Sequence, residues 1–403
     1  METLFTVTLL ELFIGGGGRL LEVGPGTVRM ILFAACLCVG LIVAIYRMRK
    51  AEGVPLAIVL VTAYLFVHTT GILIGLGKGN SLDIMMTEMQ LSLYWLAAPF
   101  LALVLRSSNM VLRTSLLIRV AGVFLAMAYI GVVSALAIGV IDYPTLYATL
   151  SATPEFAFRS SGFFFYKGFL YLGISAIFFV AIPKRYSAVW ATIVVIALAM
   201  TLTRGFMLST AFAVLLLLIV QRRRRQLAVA LAVVACVAFF IWGYMPSQDD
   251  NISVSRDISN SQRLDDFAYI VENFKVSSFF FGEGMGTLIN ERINIENTFL
   301  WAFWRLGIVG VLFWFMPLIL CLRYFAKIKR HSSQFRLACA YFFSTILVYV
   351  QTMSNPYLNN PIGLSFVLVA IFSLRTLAKA DPELVPIPGS LPLAAAAKKR
   401  RAS

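Results

Sequence analysis

Long, continuously apolar runs separated by short charged segments dominate this chain. A helix rises 1.5 Å per residue, so about 20 apolar residues cross a hydrocarbon core of about 30 Å. On that scale the runs predict spans at roughly 2–14, 27–46, 55–77, 86–105, 116–140, 163–182, 186–203, 205–220, 227–245, 298–321, 335–353 and 361–378, about twelve in all. Transmembrane β-barrels alternate polar and apolar positions, and these runs do not. Lipid offers no partner to exposed backbone groups, so helices are the spanning element. The expected fold class is all-α, a single polytopic membrane domain over 1–403 with no repeat of 20–50 residues.

One run departs from the pattern. "WATIVVIALAMTLTRGFMLSTAFAVLLLLIV", Trp190 to Val220, carries a single charge, Arg204, near its middle. As one straight helix it would extend about 46 Å, too long for the core. It would also place Lys184 and Arg185 across the membrane from Arg222–Arg225. Basic residues gather on the cytoplasmic side. One alternate set of loops holds Arg47, Arg49 and Lys50; Arg106 and Arg113; Lys184 and Arg185; Arg222–Arg225; Arg323, Lys327, Lys329 and Arg330; and "KKRR" at 398–401. Breaking the run at "TLTRG" puts all of these on one side, with both termini and a tail of about 379–403 cytoplasmic. Arg204 then sits at the tip of a hairpin on the outer face, where Gly205 and the threonines suit a turn. A snorkelling anchor is the plain alternative for it.

Composition agrees with this layout. The 403 residues are 60% hydrophobic and 13% charged, more apolar surface than a soluble domain hides. The net charge of +15 lies beside spans, so it marks topology and gives no reason to expect nucleic acid. The N-terminus lacks a basic segment and a cleavage site, and reads as a retained first span. The five cysteines lie in or beside apolar runs, with no disulfide framework or CxxC pair. His68 and His331 have no second ligand at metal spacing, so no metal is expected.

Two outer loops are long, at about 141–162 and 246–297. The second holds nine of the 19 acidic residues. Within it Leu264, Phe267, Ala268, Ile270, Val271 and Phe274 recur at helical spacing. Ser259 and Gln262 resemble a capping box. The expectation is an amphipathic helix of about 15 residues on the outer face, with Arg263 in its first turn. Phe279–Phe281 follow, and glycines 282, 284 and 286 turn the chain; "GEGMG" lacks the strand–helix context of a nucleotide loop. A short third loop reads "SNPYLNNP". Arg159 ends the first loop and Glu296 closes the second.

Arg159, Arg204, Arg263 and Glu296 therefore share one face. Arginine binds phosphate oxygens bidentately and stays charged when partly buried. A carboxylate can take a proton from a sugar hydroxyl. No ATP is available outside, so the substrate must itself be activated, and a lipid-diphosphate-linked sugar fits. Asp265 and Asp266 are reserve bases or substrate contacts. Tyr269, Trp301 and Trp304 are candidate sugar platforms, with interfacial anchoring the commoner role. Asn297, Asn355 and Asn359 are candidate polar contacts, with turn chemistry the alternative for the last two.

The segments "FRSSGFF", "LTRGFMLS", "RLDDFAYIVENF…FFFGEGMG" and "ENTFLWAFWRLGIVG" resemble bacterial O-antigen polymerases of the Wzy type, in the superfamily that includes the O-antigen ligases. The resemblance covers roughly 155–310. It implies a GT-C-like helical fold with a large periplasmic loop, an inner-membrane location, and undecaprenyl-diphosphate-linked oligosaccharide as substrate. It implies no cofactor, inversion at the anomeric carbon, and a chain-length regulator and a flippase as partner proteins. The diphosphate-facing arginines would be Arg159, Arg204 and Arg263, with Glu296 the base. In ligases a histidine commonly precedes the asparagine that opens the span after the large loop; here Glu296 precedes Asn297. The rival readings are a ligase acting on lipid A core and a flippase or transporter. Transport favours charges deep in several spans, whereas here only Glu11 and Glu88 are acids within them.

Overall fold

The computed structural model describes residues 1–16, 22–23, 26–47, 53–151, 153, 155–158, 163–228, 230–231, 250–293 and 295–380. Along them run α1 (Glu2–Ile14), α2 (Val28–Arg47), α3 (Val54–Gly77), α4 (Leu82–Ser92), α5 (Ala98–Val104), α6 (Ser108–Ala137), α7 (Tyr143–Ser151), α8 (Leu170–Ala181), α9 (Ser187–Met200), α10 (Arg204–Val220), α11 (Asp250–Asn273), α12 (Thr298–Ala326), α13 (Phe335–Gln351) and α14 (Pro361–Lys379). Two antiparallel hairpins, β1 (Glu22–Val23) with β2 (Gly26–Thr27) and β3 (Phe156–Phe158) with β4 (Phe164–Tyr166), are the sheet structure among these residues. The all-α membrane architecture holds. Eleven of the expected spans have helical counterparts; most of 227–245, together with Arg159 and the tail beyond 380, lies outside the described residues.

Helices α3, α6, α12 and α14 are each long and apolar enough to cross a membrane alone. Of the four, α14 is the most enclosed, with 83% of its best window buried against 33% for α3. It lies in the centre, packed on α12 and α13. Around it, α6 contacts α8 and α9, α8 contacts α13, and α10 contacts α8 and α13. The 86–105 run is not one helix: α4 passes through a 3₁₀ segment, Leu93–Ala97, into α5, which starts with Pro99 in its first turn. Proline has no N–H to give an earlier carbonyl, so it suits a new helix start.

The 190–220 run folds as the charge rule requires. Helix α9 ends at Met200 and α10 starts at Arg204. Leu202, with φ +50°, takes the left-handed position of the turn, and Gly205 lies inside the first turn of α10. The basic side chains meet at the opposite end. There Arg223 donates to the Val180 carbonyl (2.8 Å) and Arg113 pairs with Glu2 (2.7 Å).

Helix α12 is broken at Gly307 (φ 66°, ψ −162°). The loop after α11 enters the break. Ile308 N–H donates to Phe279 O (2.9 Å), while Glu283 and Gly284 N–H donate to Trp304 O (2.7 Å) and Arg305 O (3.1 Å). Met285 N–H reaches Gly71 O of α3 (2.9 Å). Gly282, Gly284 and Gly286 all have positive φ, as the turn-rich sequence predicts. A Cβ on Gly284 would lie 2.4 Å from the Gly75 nitrogen, so only glycine lets these backbones meet.

Arg305 and Glu88 hold this junction. Their side chains are 0% and 1% exposed and 2.7 Å apart. Arg305 also donates to Thr287 O (2.9 Å) and Ile293 O (2.5 Å), and Glu88 accepts Gly286 N–H (3.0 Å). Glu11 is likewise paired, with Arg29 at 2.7 Å. Removing one partner of a buried pair strands a charge, at a cost of about 3–5 kcal/mol. Glu88→Ala is therefore expected to lower thermal stability by that order in detergent. A Glu88→Met/Arg305→Leu double variant recovers part of the loss, and equal stability of wild type and Glu88→Ala would refute the assignment.

Candidate functional site

The outer end of the bundle is uneven. Helix α6 has 30 residues, while its neighbours α8 and α9 have 12 and 14. Tyr129 of α6 donates to the Met200 carbonyl at the end of α9 (3.0 Å), and α6 then runs on to Ala137. Those eight further residues add about 12 Å. The start of α10 is thus recessed by about that length from the end of α6. Two segments pack against it: the β3–β4 hairpin, through Phe165 on Phe206 (5.2 Å), and the 352–360 turn, through Tyr357 on Phe206 (5.6 Å).

That turn joins the predicted site residues. A side chain at Gly205 would lie 3.5 Å from Ser354 Oγ and 3.6 Å from Gln351 Nε2, so Arg204 starts its helix beside 351–355. On the other flank Thr298 N–H reaches Thr352 O (3.4 Å), placing Glu296 and Asn297 against the same turn. Arg204 is exposed. It stands at a helix N-terminus, the end that repels cations and attracts anions. Asn355 is half-buried beside Ser354, with its backbone N–H on Gln351 O (2.9 Å).

Arg263 and Glu296 form an ion pair, with Nε and Nη2 both 2.5 Å from Glu296 Oε2 and both side chains 42% exposed. Arg263 does not pair with Asp266, three residues along the same helix. Asp266 is buried and bonded to Arg292, which also donates to Gln262 O (3.3 Å). Asp266 is thus a strut fixing α11 to the following loop and is closed to substrate. Asp265 is exposed.

The start of α11 corrects the sequence reading. The helix begins at Asp250, so positions 259 and 262 fall within it and not at its start, and Arg263 is not in the first turn. Its orientation differs too: Asp266 and Ile270 face inward, while Leu264, Phe267 and Val271 are exposed. The C-terminal half docks through Tyr269 against Trp304 (5.7 Å, edge-on) and Phe274 stacked on Phe303 (5.5 Å). Trp301 and Trp304 are buried, neither interfacial anchors nor open platforms. Trp301 lies under the Arg305 guanidinium, 5.3 Å from its ring centroid. Asn359 is buried as well.

Two side chains at the junction were not singled out from the sequence. Gln351 is buried at the end of α13, its Oε1 accepting from Ser209 of α10 (2.8 Å) and its Nε2 donating to Ser354 (3.4 Å). Arg305 lies within a quoted motif. Both are polar groups in apolar runs, a signal of function or of tight pairing that was open to reading.

Asn297 turns out to be the N-cap of α12, its Oδ1 accepting from Phe299 N–H (2.9 Å) and Leu300 N–H (3.2 Å). Asn297→Ala should cost about 1 kcal/mol of thermal stability, while Asn297→Asp retains the cap. Equal losses in the two variants would show that the cap is not what Asn297 contributes.

The sequence family described as O-antigen ligase matches residues 188–315, from α9 through the broken part of α12. The O-antigen polymerase of Shigella flexneri is 28% identical over 381 residues, covering 92% of this chain and 95% of the relative. The resemblance carried by the motifs therefore extends along most of the chain, which is similar to an O-antigen polymerase over nearly its full length and to the O-antigen ligase family over the part that holds Arg204, Arg263 and Glu296.

Proposed function

We propose that this protein is a membrane glycosyltransferase that polymerises undecaprenyl-diphosphate-linked oligosaccharide units into O-antigen or exopolysaccharide chains. The observation that carries the reading is the 351–355 turn, flanked on one side by Arg204 and on the other by Glu296 with its partner Arg263. Similarity to a polymerase over nearly the full length supports it. By the distribution of basic residues, this end faces the periplasm and both termini face the cytoplasm of a bacterial inner membrane. The architecture is GT-C-like, no metal or other cofactor takes part, and a flippase and a chain-length regulator are the expected partner proteins.

In the proposed reaction a hydroxyl oxygen on the terminal sugar of the incoming unit attacks the anomeric carbon of the growing chain. The bond from that carbon to the lipid diphosphate breaks with inversion, and the diphosphate leaves with the electron pair. Glu296 takes the hydroxyl proton. Arg204, Arg263 and Arg159 stabilise the charge on the departing diphosphate. The Arg263–Glu296 pair gives this an order. A half-exposed ion pair contributes at most about 1 kcal/mol, so an arriving diphosphate readily draws Arg263 away and leaves Glu296 free to act as base. Donor binding thereby prepares the base. Asp265 and Asn355 are placed to meet the sugars.

The test supplies purified protein with synthetic lipid-diphosphate repeat units, without ATP or metal. A ladder of lengthened glycans is expected. Transfer across vesicles without chain growth indicates a flippase, and a single transfer to lipid A indicates a ligase. Arg204→Ala should slow chain growth by about 10²–10³-fold, and full activity would remove it from the diphosphate site. Glu296→Gln should slow turnover by about 10²–10⁴-fold without weakening donor binding, since Arg263 then has no competitor. Weakened donor binding would overturn the proposed exchange of partners.

A further inference from the structure

At the basic end, far from the recess, a cavity of about 540 Å³ lies between α6, the 182–187 connection and α9. Its size falls in the range of small-molecule sites. Three cations line it: Arg119 from within α6, and Lys184 and Arg185 from the connection. Arg119 is only 8% exposed, and its Nε donates to Ser115 O at 3.3 Å. Among the described residues no carboxylate lines the cavity or forms an ion pair with any of the three. Burial and the nearby charge of Arg119 together hold the Lys184 ammonium below its usual pKa, as expected for cations gathered without a counter-charge. The other wall is apolar. Leu116, Val120 and Trp190 line it and are exposed on the perimeter of the bundle, where acyl chains run.

We infer that this cavity is a binding site for the headgroup of an anionic diacyl phospholipid, its phosphate held by Arg119, Lys184 and Arg185 and its chains lying along α6 and α9. Basic pockets between helices at the cytoplasmic surface bind anionic headgroups in this manner. The continuous apolar wall favours a lipid over a free anion, which would need only the cations. The site is independent of the proposed glycosyl transfer and lies at the other end of the helices.

Native mass spectrometry and thermal unfolding test it, on protein in phosphatidylcholine nanodiscs with and without phosphatidylglycerol. A further arm adds inorganic phosphate to the phosphatidylcholine discs. Phosphatidylglycerol should be retained and raise Tm, while phosphate does neither. Lys184→Gln and Arg185→Gln, which lie outside the helices, should each weaken retention about fivefold, and Arg119→Gln should do so at least as strongly. If phosphate alone reproduces the Tm shift, the lipid assignment is wrong. If retention is unchanged in the Lys184→Gln/Arg185→Gln double variant, the site is wrong, whether or not the Arg119 variant folds.

Discussion

The site depends on how one broken helix is completed. Inside a membrane an unpaired backbone group costs several kcal/mol, so α12 can open at Gly307 only because residues 279–285 supply donors and acceptors to both lips of the break. That splice draws the loop after α11 down between α3 and α12. The Arg305–Glu88 pair then locks its far side. With the loop held, α11 lies across the start of α12 on its aromatic contacts, and Arg263 meets Glu296. The catalytic proposal thus rests on backbone hydrogen bonds some distance from the carboxylate.

The two ends of the bundle handle charge differently. At the basic end Arg223 caps carbonyls and Arg113 pairs with Glu2, while Arg119, Lys184 and Arg185 share a cavity with no acid among its described lining. At the other end three acids near the junction are paired: Glu296 with Arg263, Asp266 with Arg292, Glu283 with Lys78. Burial alone would raise the Glu283 pKa, but hydrogen bonds from Lys78 and Ser278 outweigh it and leave the carboxyl below its usual range. Glu283 therefore contributes stability at neutral pH that fades as pH falls through that lowered value. Among these pairs, Arg263–Glu296 is the one open to solvent on both sides, and so the one a ligand can exchange most cheaply.

Much of the fold was legible because apolar runs and basic loops obey separate physical rules that agree. The break at "TLTRG" followed from charge on both flanks, before any turn geometry was known. The break at Gly307 was not legible, because a lone glycine in "LGIV" gives no turn signal and only the loop packed into the kink makes it tolerable. The start of α11 was missed because its first half lacks apolar periodicity. Among the site residues, topology put Arg204 and Glu296 at one end of the bundle, and the 351–355 turn lies between the segments that carry them. The ion pairs were not legible, since Arg263–Glu296 and Asp266–Arg292 join positions 33 and 26 residues apart and are chosen by packing, not spacing.

The Arg305–Glu88 lock also has a history within each molecule. Its two halves are made far apart in time, because Glu88 leaves the ribosome more than two hundred residues before Arg305. At about 5–20 residues per second that is roughly 10–40 s. Through that interval α4 holds a carboxyl with no arginine to meet it, and the slot for the 279–285 loop has no second wall. Newly made chains therefore pass through a stage in which α1 to α10 exist and the candidate site does not. The loop can be seated only after α12 has been made.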